Sequence, residues 1–398
     1  MKHYLFTPID SWFFKESRSM DGSGSNILSS LFPPPVKTLM GALRSQIGEK
    51  YHKDNMTTWQ QFGKHCKDTF KLEKIIGYGN EYANLQAQGA WLYLGDENKK
   101  QLHFPAPSNL LKQENDTYAF FEIGSPVVSD LGKVKFAKLD YEQKQAPLNN
   151  HYISRDGFNL VLEGKIPEQT VDQEDIITNE QRLGIARDNT SRSTQQGKLY
   201  QTQHLRIKQG WSVYLGLTGV DKDYATDKDR LIRMGGEARM ASLTEIDKPD
   251  LPQPPVIQPS DNTQGLVIYL LTPLPDYRQS NETPPLPNNT FKVNDSGEYH
   301  VWKGQIAQID ITIETAIAGK LYRLGGWDMA EHKPQAVKSY IPAGSCWYIK
   351  TSHKAEEINQ LINKLHGSYL TTGNDRALGY GQIVIGKQPE NKNTESKK

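Results

Sequence analysis

The sequence has little of what most catalytic and metal-binding chains carry. Its two cysteines, Cys66 and Cys346, lie far apart in 398 residues and in no CxxC or Cys/His spacing. That argues against a zinc site or a disulfide framework. The ten histidines are scattered, and none pairs with another at ligand spacing. There is no HExxH, GxSxG or GxxxxGKS/T, so zincin, α/β-hydrolase and P-loop chemistry have no signature here. No run of about 18 apolar residues occurs, so no membrane-spanning helix is expected. The N-terminal MKHYLFTPIDSWFF has no apolar h-region or small-residue cleavage site, and the expected compartment is the cytoplasm. An excess of one charge is missing too. Lys and Arg number 47 against 46 Asp and Glu, a formal +1. Any nucleic-acid site must therefore be a local patch.

What is present is one concentrated patch. Residues 182–208, RLGIARDNTSRSTQQGKLYQTQHLRIK, hold Arg182, Arg187, Arg192, Lys198, Arg206 and Lys208 against the single acid Asp188. From Asp188 to Gly197 there is no large apolar side chain, so that part is not core. Leu199–Ile207 alternates loosely and reads as a strand. A basic, Ser/Thr/Asn/Gln-rich excursion that feeds a strand can reach a phosphate backbone. The bland alternative is a solvated loop.

The length suggests two domains. Strands are predicted at His3–Ile9, Leu85–Leu94, Gly210–Val220, Ala238–Ile246, Leu266–Leu271, Ile306–Ile313 and Gly344–Lys350. A further strand at Leu321–Leu324 runs into a glycine turn. After Leu31-Phe32-Pro33-Pro34-Pro35, the residues Val36, Leu39, Met40, Leu43 and Ile47 recur at helical spacing. Ala355–Leu365 does the same, with Ile358, Leu361, Ile362 and Leu365 on one side. Residues 58–64 and Lys228–Met234 are short helix candidates, the latter stopped by Gly235-Gly236. Segments at Tyr118–Ile123, Val134–Leu139 and Phe158–Leu162 read as strands or turns. The proline-rich 248–260 divides a domain at 1–250 from one at 260–388, and the tail 389–398 reads as disordered. The layout predicts α+β units of antiparallel sheet with helices on one face.

Two glycine loops could cradle a phosphate, Gly235–Arg239 and Gly373–Gly381, the second with Arg376 and Tyr380 among the glycines. Tight turns are the plainer reading. Trp302 and Trp327 read as core. The pairs Asp221/Asp223 and Asp227/Asp229 read as solvated loop charge rather than a metal site.

Four segments, in order, resemble the third subunit of the Cmr complex, the type III-B CRISPR RNA-guided effector, within the RAMP superfamily. They are Leu31-Phe-Pro-Pro-Pro-Val-Lys-Thr-Leu-Met-Gly-Ala-Leu-Arg44; Gly184-Ile-Ala-Arg-Asp188 through Thr190 to Gly197-Lys-Leu-Tyr200; Gly235-Gly-Glu-Ala-Arg239; and Gly326-Trp-Asp328 continuing to Ile341-Pro-Ala-Gly344. The resemblance implies two ferredoxin-like (RRM-related) domains with long insertions and a basic thumb-like hairpin pushed between guide and target RNA. It implies a non-catalytic subunit with no cofactor and no metal. Such a subunit holds the 5′ repeat-derived tag of the CRISPR RNA and meets target RNA near the tag. It contacts the large polymerase-like subunit and the adjacent backbone subunit. Carried over by position, the RNA contacts would be Arg187, Arg192, Lys198, Tyr200, Arg239 and Arg376, with Arg18, Lys37 and Arg44 beside them. Related subunits often show Asp-Arg-x-Thr where this chain has Arg187-Asp188-Asn189-Thr190, so the arginine is displaced.

A second reading is a RAMP-type, metal-independent endoribonuclease that processes CRISPR RNA. It needs a base for the 2′-hydroxyl, and His204 and His3 are its candidates. A third, a β-rich carbohydrate-binding or scaffold module, rests on Trp, Tyr and Asn content and leaves the ordered motifs unexplained.

Overall fold

The computed structural model describes residues 1–16, 27–55, 67–95, 100–138, 145–187, 194–220, 230–259, 265–278, 284–328, 332–350 and 354–389. The chain opens with β1 (Lys2–Pro8), then α1 (Val36–Asn55), α2 (Lys67–Ile76), β2 (Gln86–Gly95) and β3 (Lys100–Pro105). After several strands of two or three residues come β4 (His151–Ser154), α3 (Arg155–Leu162) and β5 (Val171–Asp172). A long pair follows, β6 (Ile177–Arg187) and β7 (Thr194–Ile207), then β8 (Trp211–Thr218), β9 (Arg230–Arg233) and β10 (Met240–Ile246). The second half holds β11 (Gly265–Leu270), β12 (Leu274–Pro275), β13 (Lys292–Asp295), β14 (His300–Ile306) and β15 (Ile309–Ile317). It continues through β16 (Tyr322–Leu324), β17 (Trp327–Asp328), β18 (Lys333–Pro334), β19 (Lys338–Ile341) and β20 (Cys346–Lys350). It ends with α4 (Ala355–Leu365), α5 (Gly373–Ala377) and β21 (Ile383–Lys387).

Two antiparallel sheets result, in the orders β5-β4-β3-β2-β8-β1-β10-β9 and β13-β14-β15-β20-β11-β21. Side-chain alternation explains how they stack. In the first sheet Tyr4, Phe6, Leu92, Val213 and Leu215 point to a core completed by Val36, Leu39, Met40, Leu43 and Ile47 of α1. Trp91, Tyr93 and Tyr214 point the other way, into a layer shared with Val267, Tyr269, Cys346, Tyr348 and Val384 of the second sheet. The opposite residues of that sheet, Leu266, Ile268, Trp347, Ile349 and Ile385, pack on Ile358, Ile362 and Leu365 of α4. The order of layers is helices, sheet, sheet, helix, with α3 set into the middle layer through Phe158, Val161 and Leu162. Leu266–Leu271 is apolar without alternation because both of its faces are covered.

The shared layer is sewn by polar atoms as well. Trp91 Nε1 donates to the Leu271 carbonyl at 3.1 Å, and Asn109 Nδ2 reaches the hydroxyls of Tyr269 and Tyr348 at 3.0 and 2.9 Å. Cys346 lies there as a free, fully buried thiol whose pKa burial pushes up. The segment Asp247–Pro259 has neither helix nor strand, and the chain passes from the first sheet to the second through it. It is tied down: Gln253 N donates to Asn159 Oδ1, and Ile257 N to Asn359 Oδ1.

Three local expectations are corrected. Lys228–Met234 is not a helix; its described part is the edge strand β9, with Ile232 and Met234 turned inward and Leu231 outward. Phe158–Leu162 belongs to α3, which Ser154 caps by accepting from the Gly157 amide at 3.2 Å. Ile306–Ile313 is two strands, reversed at Ala307 and Gln308, whose φ values of +49° and +63° suit a tight hairpin turn. Residues 58–64, Cys66, the Asp221–Asp229 acids and the tail beyond 389 lie outside the described residues.

Candidate nucleic-acid interface

The basic stretch folds as the β6–β7 hairpin. Its register runs from Ile177 opposite Ile207 to Ile185 opposite Leu199, and closes at Arg187 opposite Thr194 after an irregularity. Eleven residues of β6 span roughly 35 Å at ~3.3 Å each. The root is core: Ile176, Ile177 and Leu205 are buried, and Trp12 and Leu205 exchange backbone hydrogen bonds at 2.8 Å. Further out the apolar Leu183 is 75% exposed. Arg187, Lys198 and Tyr200 all lie on this outer half of the ribbon, Tyr200 opposite Gly184. Arg192 and Arg18 lie outside the described residues.

At the root the charges are matched. Glu180 accepts from Arg182 Nε at 2.7 Å and from Arg206 Nη2 at 2.6 Å. Asp10, just after β1, meets Arg206 Nη1 at 2.9 Å and Arg182 Nη2 and Arg239 Nη1 each at 3.4 Å. Glu237 lies 3.4 Å from Arg239 Nη2 and 3.0 Å from His204 Nε2, the latter at ion-pair distance without hydrogen-bond alignment. Three carboxylates thus face three guanidiniums. Hydrogen bonds from Arg206 and Arg182 hold the Glu180 carboxyl below its usual range. The remaining cations of the described ribbon, Arg187 and Lys198, lie on its outer half.

His204 sits inside this knot. It is completely buried, stacked on Phe13 at 5.2 Å, with Nδ1 3.3 Å from Ser11 Oγ. Burial lowers its pKa, against the pull of Glu237. His3 is buried too, with Nδ1 2.8 Å from the Tyr214 hydroxyl. Among the described residues, no group of three or more His, Cys, Asp or Glu could hold a metal ion. No helix among them is long and apolar enough to cross a membrane.

The glycine loops are packing devices. The Gly235–Arg239 turn joins β9 to β10 and lies on Phe13: a Cβ on Gly235, at φ +85°, would sit 2.7 Å from the Phe13 carbonyl oxygen. In the C-terminal loop a Cβ on Gly379, at φ +73°, would come 2.7 Å from the Ala87 oxygen of β2. Arg376, in α5, lies 3.5 Å from the centroid of the Tyr369 ring, and Tyr380 is buried against Tyr340.

Lys37 and Arg44 lie at a seam between the two halves of the chain, to which the helix carrying Arg376 is tied by Asn374 Nδ2, donating to Glu81 Oε1 at 3.3 Å. Lys37 Nζ donates to Asn80 Oδ1 at 2.7 Å and also meets Gln335 Oε1. Arg44 donates to the Gly79 carbonyl at 3.0 Å and lies over the Tyr82 ring. Lys338 Nζ is 3.7 Å from Asp375. Neither Lys37 nor Arg44 is on an openly solvated face, and burial lowers the pKa of both. The sequence motifs therefore sort into two places. The third lies at the hairpin root, and the described part of the second forms the outer half of the ribbon; the first, the fourth and the C-terminal loop meet at the seam.

Spacing alone did not single out Asp10, Ser11, Glu180 and Glu237. Glu180 and Arg182 lie two apart on one strand face, but their partner Arg206 is assigned only by the hairpin register. Trp302 is core, whereas Trp327 is 54% exposed, contrary to its reading from sequence.

No curated protein matches this chain. Among solved structures, it is similar to a chain of the type III-B Cmr-beta complex bound to cognate target RNA, at 16% identity and TM-score 0.45, covering 98% of this chain and 100% of that one. A chain of that complex bound to cognate target RNA and AMPPnP gives 15% and 0.44 over the same shares. A chain of the Csm3–Csm4 subcomplex of the type III-A interference complex gives 12% and 0.37, again over 98% and 100%. Such values carry no functional weight. The weight lies in the family model of the CRISPR-associated protein Cas_Cmr3, which matches residues 4–388. That span takes in both sheets, the hairpin and all four ordered motifs, and the chain belongs to the Cas_Cmr3 family of CRISPR-associated proteins.

Proposed function

We propose that this chain is a non-catalytic RNA-binding subunit of a type III-B CRISPR effector complex in the cytoplasm. In this reading it holds the 5′ repeat-derived tag of the guide RNA and meets target RNA beside it, in antiviral defence. It bridges the large polymerase-like subunit and the adjacent backbone subunit. We also read its two sheets, each with helices on one face, as elaborated ferredoxin-like units from which the β6–β7 hairpin extends as a thumb.

One observation carries the reading: the sorting of charge along the hairpin. Cations at the root are neutralised by Asp10, Glu180 and Glu237, while Arg187 and Lys198 lie on the outer half, and the sequence that joins the two strands adds Arg192 against one acid, Asp188. A ribbon rigid at its root and cationic beyond it suits contact with phosphates rather than a folded core. The family supports a role in CRISPR defence. The burial of His204 and His3 weighs against the endoribonuclease reading. The test is guide-RNA retention by the complex assembled with Arg187→Ala or Arg192→Ala. Weaker retention with an unchanged melting temperature is expected; unchanged retention in both would sink the assignment of these residues.

A further inference from the structure

The seam carries a feature that the hairpin does not use. β16 leads through Gly325-Gly326 into β17, which pairs with β18, Trp327 opposite Pro334 and Asp328 opposite Lys333. The indole of Trp327 is 54% exposed, while Trp302 and Trp347 of the same sheet system are buried. An indole left in water contributes little to folding through burial. Its mount is nonetheless firm. Gln335 N donates to the Gly326 carbonyl at 3.0 Å, and Gln335 Nε2 donates to Asn80 Oδ1 at 3.1 Å, the atom that also receives Lys37.

Arg323, Lys333 and Lys338 are exposed, Lys338 with Asp375 at 3.7 Å; among the described residues of 320–338 the one acid is Asp328, which is buried. A second ring, Tyr277, is 37% exposed and follows β12 beside β19, where Asp276 N donates to the Ser339 carbonyl at 3.0 Å. Exposed rings interleaved with Lys and Arg are what single-stranded nucleic acid needs: faces for bases, charges for phosphates.

We infer that Trp327, with Arg323, Lys333 and Lys338 around it, is a second contact for the guide RNA, a stacking platform for an unpaired base. The inference rests on the RNA-binding reading above. Trp327 supplies the ring face, Lys333 and Lys338 take flanking phosphates, and the Gln335–Asn80–Lys37 chain holds the platform against α1.

The test uses the assembled complex with a guide RNA carrying 4-thiouridine at successive tag positions, followed by ultraviolet crosslinking and peptide identification. A crosslink to the peptide containing Trp327 is expected. Trp327→Ala should weaken guide binding roughly tenfold, with Trp327→Phe close to the parent, since a phenyl face still stacks. Lys338→Ala should lower the salt slope of binding by about one. Because the indole is exposed, each variant should melt like the parent, and that control separates lost contact from lost fold. Crosslinks confined to the hairpin, with Trp327→Ala binding normally, would overturn this inference and leave the RNA-binding reading intact. No crosslink anywhere in this subunit would overturn both. Amine-directed crosslinks tying Lys333 or Lys338 to another protein subunit, without RNA crosslinks here, would make the surface a protein contact and overturn the inference.

Discussion

Asp10 touches three arginines from three segments, so its removal loosens the loop after β1, the hairpin and the β9–β10 turn together. Charge alone predicts that Asp10→Asn, which makes the surface more positive, tightens RNA binding. Geometry predicts the reverse: a hairpin with a slack root holds its outer cations less well. The expected result is guide retention reduced about two- to tenfold, with faster amide exchange at the root of β6 and β7. Tighter, tag-specific binding would contradict the role given to Asp10.

His204 makes a pH prediction at the same scale. Its folded-state pKa lies below the ordinary 6.5, because burial penalises the charged ring. The unfolded chain therefore takes up the proton first as pH falls. Stability from this group is whole above about 6.5 and is lost as pH drops below it. His3 and His366 are lowered for the same reason and act in the same direction. Around His204 the charged groups are Glu237, Arg239, Arg182 and Glu180. Thermal unfolding followed from pH 7.5 to 5 should show falling stability, less steeply for His204→Gln. Rising stability toward pH 5 would contradict the account. None of this was legible in the sequence, where His204 stood out only for its place in a basic stretch. The groups that bury it, Ser11, Phe13 and Glu237, lie far from it in sequence and are joined by the fold.

Among the elements, the two amphipathic helices were legible because a 3.6-residue stripe repeats over three or more turns. Leu43 of α1 is fully buried against β1 and β2, so Leu43→Ala should cost about 2–5 kcal/mol, read as a lower urea midpoint. The glycine loop before β21 was legible as a loop but not in purpose. Gly379→Ala demands both a left-handed backbone and space occupied by the Ala87 oxygen, and should cost about 1–3 kcal/mol, measured in the same way. Short elements were illegible. Strands of two or three residues between 110 and 147 carry no period to read, and β9 was hidden by its flanking charges. The hairpin was half visible: Leu199–Ile207 alternates, but its partner Ile177–Arg187 was not recognised from sequence.

For the whole molecule, the near-neutral charge becomes intelligible once its distribution is seen. Acid and base cancel at the hairpin root, Arg187 and Lys198 lie on the outer half of the ribbon, and Arg323 and Lys333 are exposed near Trp327. The back-to-back sheets explain why β11 reads as an unbroken apolar run, and why a division of the chain into two halves is compatible with one shared aromatic layer. The most direct measurement is retention of end-labelled guide RNA by the assembled complex, with and without the 5′ tag, across a salt series and on a denaturing gel. The account predicts tag-dependent retention of intact RNA that weakens with salt, and loses tag dependence when the outer hairpin is cut back. Tag-independent retention, or guide shortened by this subunit, would contradict it.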